Sequence, residues 1–426
     1  MQANAKISPG VSERDTRFSR PKSQMRMLLL EGIHDSAVAA LHQAGFQHIE
    51  TVPTALAPEQ LRERIGAVHY LGIRSRSQVT EAVLARATEL RAIGCFCIGT
   101  NQVDVVSAGL RGVPVFNAPF SNTRSVAELV LAEAIMLARN IPEKNAHAHL
   151  GTWEKSARGA VEIRGKSLGI IGYGHIGTQV GLLAEAIGMR VFFHDTARKL
   201  ALGNATPVNS LTALLELSDI VTLHVPAAAD TVSMVGAAQI ARMKQGSILI
   251  NASRGTVVDL DALAAALENG HLKGAAIDVF PVEPRSNAEP FSSPLQAFDN
   301  VILTPHVGGS TEEAQEGIGV EVSEKLIHFH DHGSTVSAVN FPEVSLPAHR
   351  NTYRLLHIHR NQPGVLAAVN RIFSARGINI AGESLQTNDV VGYVVVDFDF
   401  TEDFDVRELE ALKRIDGTLR ARIIPR

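Results

Sequence analysis

Three short stretches put residues able to move a proton or hold an anion just after apolar, strand-like runs. His306 stands in Thr304-Pro-His-Val-Gly-Gly309, Glu283 in Ala276-Ile-Asp-Val-Phe-Pro-Val-Glu-Pro284, and Arg254 in Asn251-Ala-Ser-Arg-Gly-Thr-Val-Val-Asp259. A neutral imidazole accepts a hydroxyl proton near physiological pH, and a carboxylate beside it fixes its tautomer and raises its basicity. A guanidinium grips a carboxylate through two parallel hydrogen bonds. Singly, such residues are more often solvated or structural. Together, on three loops of one domain, they supply what oxidation of a 2-hydroxy acid needs besides a hydride acceptor: a base, a tuned partner and an anion clamp.

The hydride acceptor is indicated by Leu168-Gly-Ile-Ile-Gly-Tyr-Gly-His-Ile-Gly177. An apolar run, Leu168 to Ile171, reads as a buried parallel strand, and Ile176, Val180, Leu183, Ala184 and Ile187 recur at helical spacing. Between them Gly172, Gly174 and Gly177 make the G-x-G-x-x-G turn of a dinucleotide site. The first glycine allows the sharp turn, the second lets backbone approach the pyrophosphate, and the third lets helix and strand pack closely. The helix N-terminus that follows favours the phosphate charge. A second strand, Arg190-Val-Phe-Phe-His-Asp195, ends in an acid that can accept both ribose hydroxyls and would repel a 2′-phosphate, which selects NAD over NADP.

The elements that must position these groups follow from the wider pattern. The chain has 426 residues, 45% hydrophobic and 20% charged, enough for about three globular domains. A formal charge of −4 gives no reason to expect nucleic acid or an anionic membrane as partner, and no apolar run is long enough to span a bilayer. Cys95 and Cys97 flank Phe96 on a strand, where they read as reduced, buried thiols of a cytosolic protein. Residues 1–24 are polar and read as a mobile tail.

From Met27 strands and helices alternate, giving a parallel α/β domain, and Val68–Ile73 runs into Arg74-Ser75-Arg76. Two arginines after a strand can hold phosphate or carboxylate, or can be a solvated loop. A helix from Ser125 to Arg139 crosses into the nucleotide domain, and Ser310 with Glu313 is expected to cap a long helix that returns to the first domain. The expected boundaries are 25–120 with 306–340 for a discontinuous substrate domain, 121–305 for the nucleotide domain, and 341–351 for a linker. A βαββαβ unit covers 352–426. The fold class is α/β: two parallel-sheet domains, Rossmann-like or flavodoxin-like, and a C-terminal ferredoxin-like unit. The histidine pairs at alternate positions, such as His357/His359, lack an acid or cysteine that would complete a metal set, so no metal is expected.

From about residue 27 onward the chain resembles the D-isomer-specific 2-hydroxyacid dehydrogenases. The resemblance rests on Ile93–Asp104, Phe116–Glu128, Leu168–Gly177, Asn251–Asp259, Gly274–Phe280 and Leu303–Gln315. It implies that His306 is the acid/base, Glu283 its partner and Arg254 the carboxylate anchor. It implies NAD contacts from Gly172, Gly174, His175, Ile176, Gly177, Asp195, Ala252, Ser253, Arg254, Asp278, His306, Val307, Gly308 and Gly309. Arg74, Ser75, Arg76 and Asn122 would line the substrate pocket, with Lys155 offered across a subunit contact. The C-terminal unit resembles an ACT domain through Leu356–Leu366 and Arg376–Ile380, which implies L-serine held by His359, Asn361 and Asn379 at a seam between paired domains. The implied reaction is NAD-linked oxidation of 3-phospho-D-glycerate in a homotetramer. Reduction of another 2-oxo acid, such as 2-oxoglutarate, and a non-catalytic NAD sensor are the alternatives. Two departures stand out: no lysine lies near Pro53, and His349-Arg-Asn351 replaces a Gly-Gly hinge.

Overall fold

The computed structural model of the protein describes residues 18–284, 288–348, 352–399 and 406–425. It divides into two compact units, Phe120–Gln315 and the chain on either side of that segment.

In the flanking unit, β1 (Arg26–Leu29), β2 (His48–Thr51), β3 (Tyr70–Ile73), β4 (Ala92–Cys95) and β5 (Val115–Phe116) form a parallel sheet in the order β2-β1-β3-β4-β5. That is the flavodoxin-like order. β3 and β4 are buried along their whole length, as strands covered on both faces must be. One cover is the helix Glu312–His332, which lays Ile318, Val322, Leu326 and Phe329 against Met27, Leu29, Tyr70 and Phe116. This returning helix is capped by Thr311, whose Oγ1 accepts from the Ala314 amide at 3.2 Å. Ser310 lies one residue further out, where its amide closes a turn onto the Val307 carbonyl at 2.8 Å.

The same unit carries an antiparallel sheet near the C-terminus, which follows the two parallel ones in the chain. Its strands are β13 (Tyr353–Arg360), β14 (Ile380–Thr387), β15 (Val391–Phe398) and β16 (Thr418–Ile424), in the order β14-β15-β13-β16. The helices Val365–Ala375 and Val406–Lys413 complete the βαββαβ pattern. Residues 341–348 are less linker-like than expected: Phe341 and Val344 are buried against Leu356, Ile358 and Tyr393. The His349-Arg-Asn351 stretch lies outside the described residues. So does most of the expected tail, but the tail ends sooner than residue 24. Phe18 pairs with Ile423 and stacks on Tyr353, the Ser19 amide donates to the Ile423 carbonyl, and Lys22 pairs with Asp331 at 2.7 Å. Of the cysteines Cys95 is buried, whereas Cys97 is only half-buried, with its thiol toward the Gly99 carbonyl.

Within Phe120–Gln315 the strands are β6 (Ser167–Ile171), β7 (Arg190–His194), β8 (Thr206–Pro207), β9 (Ile220–Leu223), β10 (Ser247–Asn251), β11 (Leu272–Ile277) and β12 (Val301–Leu303). They run parallel in the order β12-β11-β10-β9-β6-β7-β8. The direction of winding reverses between β6 and β9, the switch point where dinucleotides bind in doubly wound sheets. Thr123–Ala138, Leu211–Leu217 and Leu260–Glu268 are among the helices that cover its faces, the last two capped by Ser210 and Asp259 side chains. Among the described residues no helix is long and apolar enough to cross a membrane.

Candidate active site and nucleotide cradle

At the end of β6 the glycines are used as their spacing predicts. Gly172 has φ +88°, and a Cβ there would lie 2.4 Å from the His224 carbonyl oxygen at the end of β9. Gly177 packs so closely that a Cβ would sit 2.2 Å from the Gly172 oxygen. Gly174 has nothing within 4 Å of that position, which leaves the turn open to a ligand's phosphates. The helix His175–Ala186 begins at once, and the His175 ring meets Phe120 edge-on at 4.5 Å. Asp195, half-buried after β7, accepts from the Tyr173 amide and the Ala197 amide, each at 2.8 Å. Those bonds fix the carboxylate beside the glycine turn and leave lone pairs for ribose hydroxyls. The cradle therefore fits an NAD-type dinucleotide.

The catalytic candidates converge beyond β10, β11 and β12. His306 Nδ1 lies 2.9 Å from Glu283 Oε2, and Glu283 Oε1 accepts from the Phe280 amide at 3.1 Å. The Glu283 bond is the main cause that raises the His306 pKa; burial and Arg254 oppose it, and the charges of Glu283 and Asp278 add to it. Burial alone would push Glu283 up, but the His306 bond, the His306 charge, the Phe280 amide and Arg254 together hold it below the ordinary carboxylate range. An ionised carboxylate has no proton to give, so Nδ1 donates and His306 Nε2 keeps the free lone pair.

His306 itself has φ +55°, a left-handed conformation unfavourable for a residue with a side chain. Asp278 holds it there: its Oδ1 accepts from Thr304 Oγ1 at 2.6 Å and the Val307 amide at 2.8 Å, and its Oδ2 accepts from the Gly308 amide at 2.9 Å. The amides of Val307 and Gly308 are thus committed to Asp278 and are not open donors for a cofactor. The Arg254 loop is fastened by Asn251, whose Nδ2 donates to the Arg254 carbonyl and whose Oδ1 accepts from Ser253. Gly255 presses on the Phe280 backbone, so close that a Cβ would lie 2.0 Å from its carbonyl carbon. This contact ties the Arg254 loop to the start of the Glu283 loop. Asn122 is buried against Gly309, with its Oδ1 unpartnered. Lys155 is exposed.

Two acids escaped the sequence reading. Glu133, on the buried face of Thr123–Ala138, has both oxygens unpartnered, and burial and then Asp278 push its pKa up to about 8. It is therefore mostly protonated at neutral pH beside the Asp278 that braces His306. The clue in the sequence is a carboxylate in register with the apolar stripe Val126, Val130 and Leu137. In the other unit, Glu31 follows β1, is 2% exposed, and accepts from the amides of Arg74, Arg76 and Ser77 at 2.9–3.1 Å. It shapes the loop that presents Arg74, Ser75 and Arg76, the first half-buried and the others exposed.

In the antiparallel sheet His359 is buried with its ring over Gly392, and the Asn361 amide group donates to the Asn388 carbonyl. Asn379 donates to Asp399. His359 pairs with Gly392 at one end of β15, whereas Asn379 bonds Asp399 past the other end, so one chain does not bring these residues together.

Comparison with known proteins agrees with this geometry. The family model for the NAD-binding domain of D-isomer specific 2-hydroxyacid dehydrogenases matches residues 131–308, and one for the AHAS small subunit-like ACT domain matches 355–420. D-3-phosphoglycerate dehydrogenase of Escherichia coli (strain K12) is 58% identical over 96% of this chain and 99% of its own length. The Haemophilus influenzae enzyme of that name is 56% identical over the same shares. A crystal structure of a Thermus thermophilus protein superposes with a TM-score of 0.64 at 31% identity, covering 71% of this chain and 96% of that one. With a dinucleotide cradle at its switch point, a histidine–glutamate pair on the neighbouring loops and an ACT domain at its C-terminal end, the chain belongs to the D-isomer-specific 2-hydroxyacid dehydrogenases, and it is an NAD-dependent oxidoreductase.

Proposed function

We propose that the protein oxidises 3-phospho-D-glycerate at C2 to 3-phosphohydroxypyruvate, the entry to L-serine synthesis, under feedback by L-serine at the ACT domain. The observation that carries this is near-full-length similarity to enzymes of that name. The His306–Glu283 pair supplies the matching chemistry. NAD, when bound, accepts the C2 hydride. His306 Nε2 takes the hydroxyl proton as the carbonyl forms, and the Glu283 carboxylate stabilises the imidazolium that results. Arg254 anchors the substrate carboxylate, and Arg74, Ser75, Arg76, Asn122 and Lys155 hold the remaining oxygens. His359, Asn361 and Asn379 hold serine where ACT domains pair in a homotetramer.

The test is NADH formation from 3-phosphoglycerate, with and without millimolar serine, beside the reverse reaction with 2-oxoglutarate. His306→Ala should lower turnover by about 10²–10⁴ while NAD still binds. Near-normal turnover in that variant would sink the assignment. A specificity constant that favours 2-oxoglutarate would replace the substrate, and rates indifferent to serine would remove the effector.

A further inference from the structure

The flanking unit contains a cleft of about 670 Å³ that none of the chemistry above uses. On one side it is lined by Arg91, just before β4, and Arg111; on the other by Arg420 and Arg422 of β16. Lys413, which pairs with Glu410 at 2.8 Å, and Glu89 stand on the same lining. Arg420 donates to the Leu90 carbonyl and, at 2.7 Å, to the Arg111 carbonyl. Arg422 donates to the Phe329 carbonyl at 2.7 Å and lies 5.0 Å over the Phe329 ring. Arg91 leaves its Nη1 buried with no partner.

These acceptors are neutral. Among the described residues no carboxylate lies within ion-pair distance of Arg91, Arg420 or Arg422, and Glu89 pairs with Arg20 at 3.7 Å. The cost shows on the cations themselves. Burial first, and then the repulsion of Arg422 and Arg20, brings Arg91 down to about 10 against the pull of Tyr70. Burial and then Arg91 do the same to Arg420, with Glu89 offsetting part of the shift and Arg422 adding to it. Both remain charged at neutral pH. Uncompensated charge in a low-dielectric pocket is expensive, and a bound counter-ion removes the expense.

We propose that this cleft is a binding site for a phosphate group, as inorganic phosphate or the head of a small phosphomonoester, gripped by Arg91 and Arg420 with Arg422 beside them. Guanidinium forks match tetrahedral oxyanions, and the surplus positive charge calls for a dianion. The volume admits a small metabolite behind the phosphate. Because Arg91 leads into β4 of the first sheet and Arg420 belongs to the antiparallel one, an occupant cancels repulsion between them and draws the ACT sheet onto its neighbour. The site is independent of the substrate assignment.

The experiment uses the full chain as wild type, Arg91→Gln and an Arg74→Ala/Arg76→Ala double variant, titrated with phosphate or glycerol 2-phosphate at ionic strength fixed with chloride. Thermal unfolding is the readout. A saturable rise of several degrees over chloride is expected in the wild type and in the double variant. Arg91→Gln should weaken the apparent affinity for phosphate at least about tenfold. An unchanged response in Arg91→Gln, or no response beyond chloride, overturns the proposal. Should Arg91→Gln not fold, wild-type crystals soaked in selenate decide it. An anomalous peak within hydrogen-bonding distance of Arg91 and Arg420 supports the site, and its absence refutes it.

Discussion

At the scale of single residues, the geometry assigns a direction to the pH profile. Oxidation needs neutral His306, and the Glu283 bond raises its pKa above 6.5, so the rate should climb with pH through that raised value. Glu283→Gln removes the hydrogen-bonded anion and leaves burial and Arg254 acting downward against the Asp278 charge alone. The acid limb of kcat/KM should therefore move to lower pH, while kcat falls because the imidazolium loses its counter-charge. A limb that stays put would show that another group controls it. The candidate residues His306, Glu283 and Arg254 could be picked out because each follows an apolar strand in a loop of small residues. Their bracing could not: nothing in the linear sequence says that Asp278 fixes the left-handed backbone of His306, since that bond spans a strand and two loops.

At the scale of elements, the β6 turn and the Arg74 loop are both shaped by contacts with no slack. Gly177→Ala would drive a methyl group onto the Gly172 oxygen, at a cost of about 1–3 kcal/mol in stability and with loss of NAD affinity. A melting curve and an NAD titration measure both. Glu31→Gln keeps one acceptor oxygen but turns an NH₂ group toward backbone amides, at a cost of about 1–3 kcal/mol. The KM for the anionic substrate should rise while the NAD KM stays constant; an unaltered substrate KM would free that loop of the role. The long periodic helices and apolar strands were readable from spacing. The helix Ile141–His149 was not, because Pro142 and polar residues interrupt any apolar stripe. The cap of Glu312–His332 slipped by one residue because Ser310 and Thr311 are chemically equivalent caps until the turn to Val307 is known.

At the scale of the whole molecule, the positions of His359 and Asn379 at opposite ends of β15 matter most. At about 3.3 Å per residue they lie roughly 20 Å or more apart, too far to share one serine within a chain. If serine binds at a two-fold seam, His359→Ala and Asn379→Ala should each abolish binding in homo-oligomers. Hybrids of the two variants should recover part of the sites, because one seam position then carries both wild-type residues. Equilibrium dialysis of purified hybrids measures this, and zero recovery rules the seam out. The sequence revealed the βαββαβ pattern but not this separation, which depends on strand order rather than on motif.

The helix Glu312–His332 also dictates an order of assembly during synthesis. Phe120–Gln315 is one continuous segment, so the nucleotide unit is complete as soon as its last residue clears the ribosome. The first sheet emerges earlier, yet it must wait about two hundred residues for Ile318, Val322, Leu326 and Phe329 to cover Met27, Leu29 and Tyr70. Through that interval an apolar face made first is covered only in part, by Ala37, Leu41 and Phe46, and Phe18 waits longer still for Ile423. The nascent chain therefore matures from the middle outward, and the N-terminal third is the part that most needs chaperone shelter.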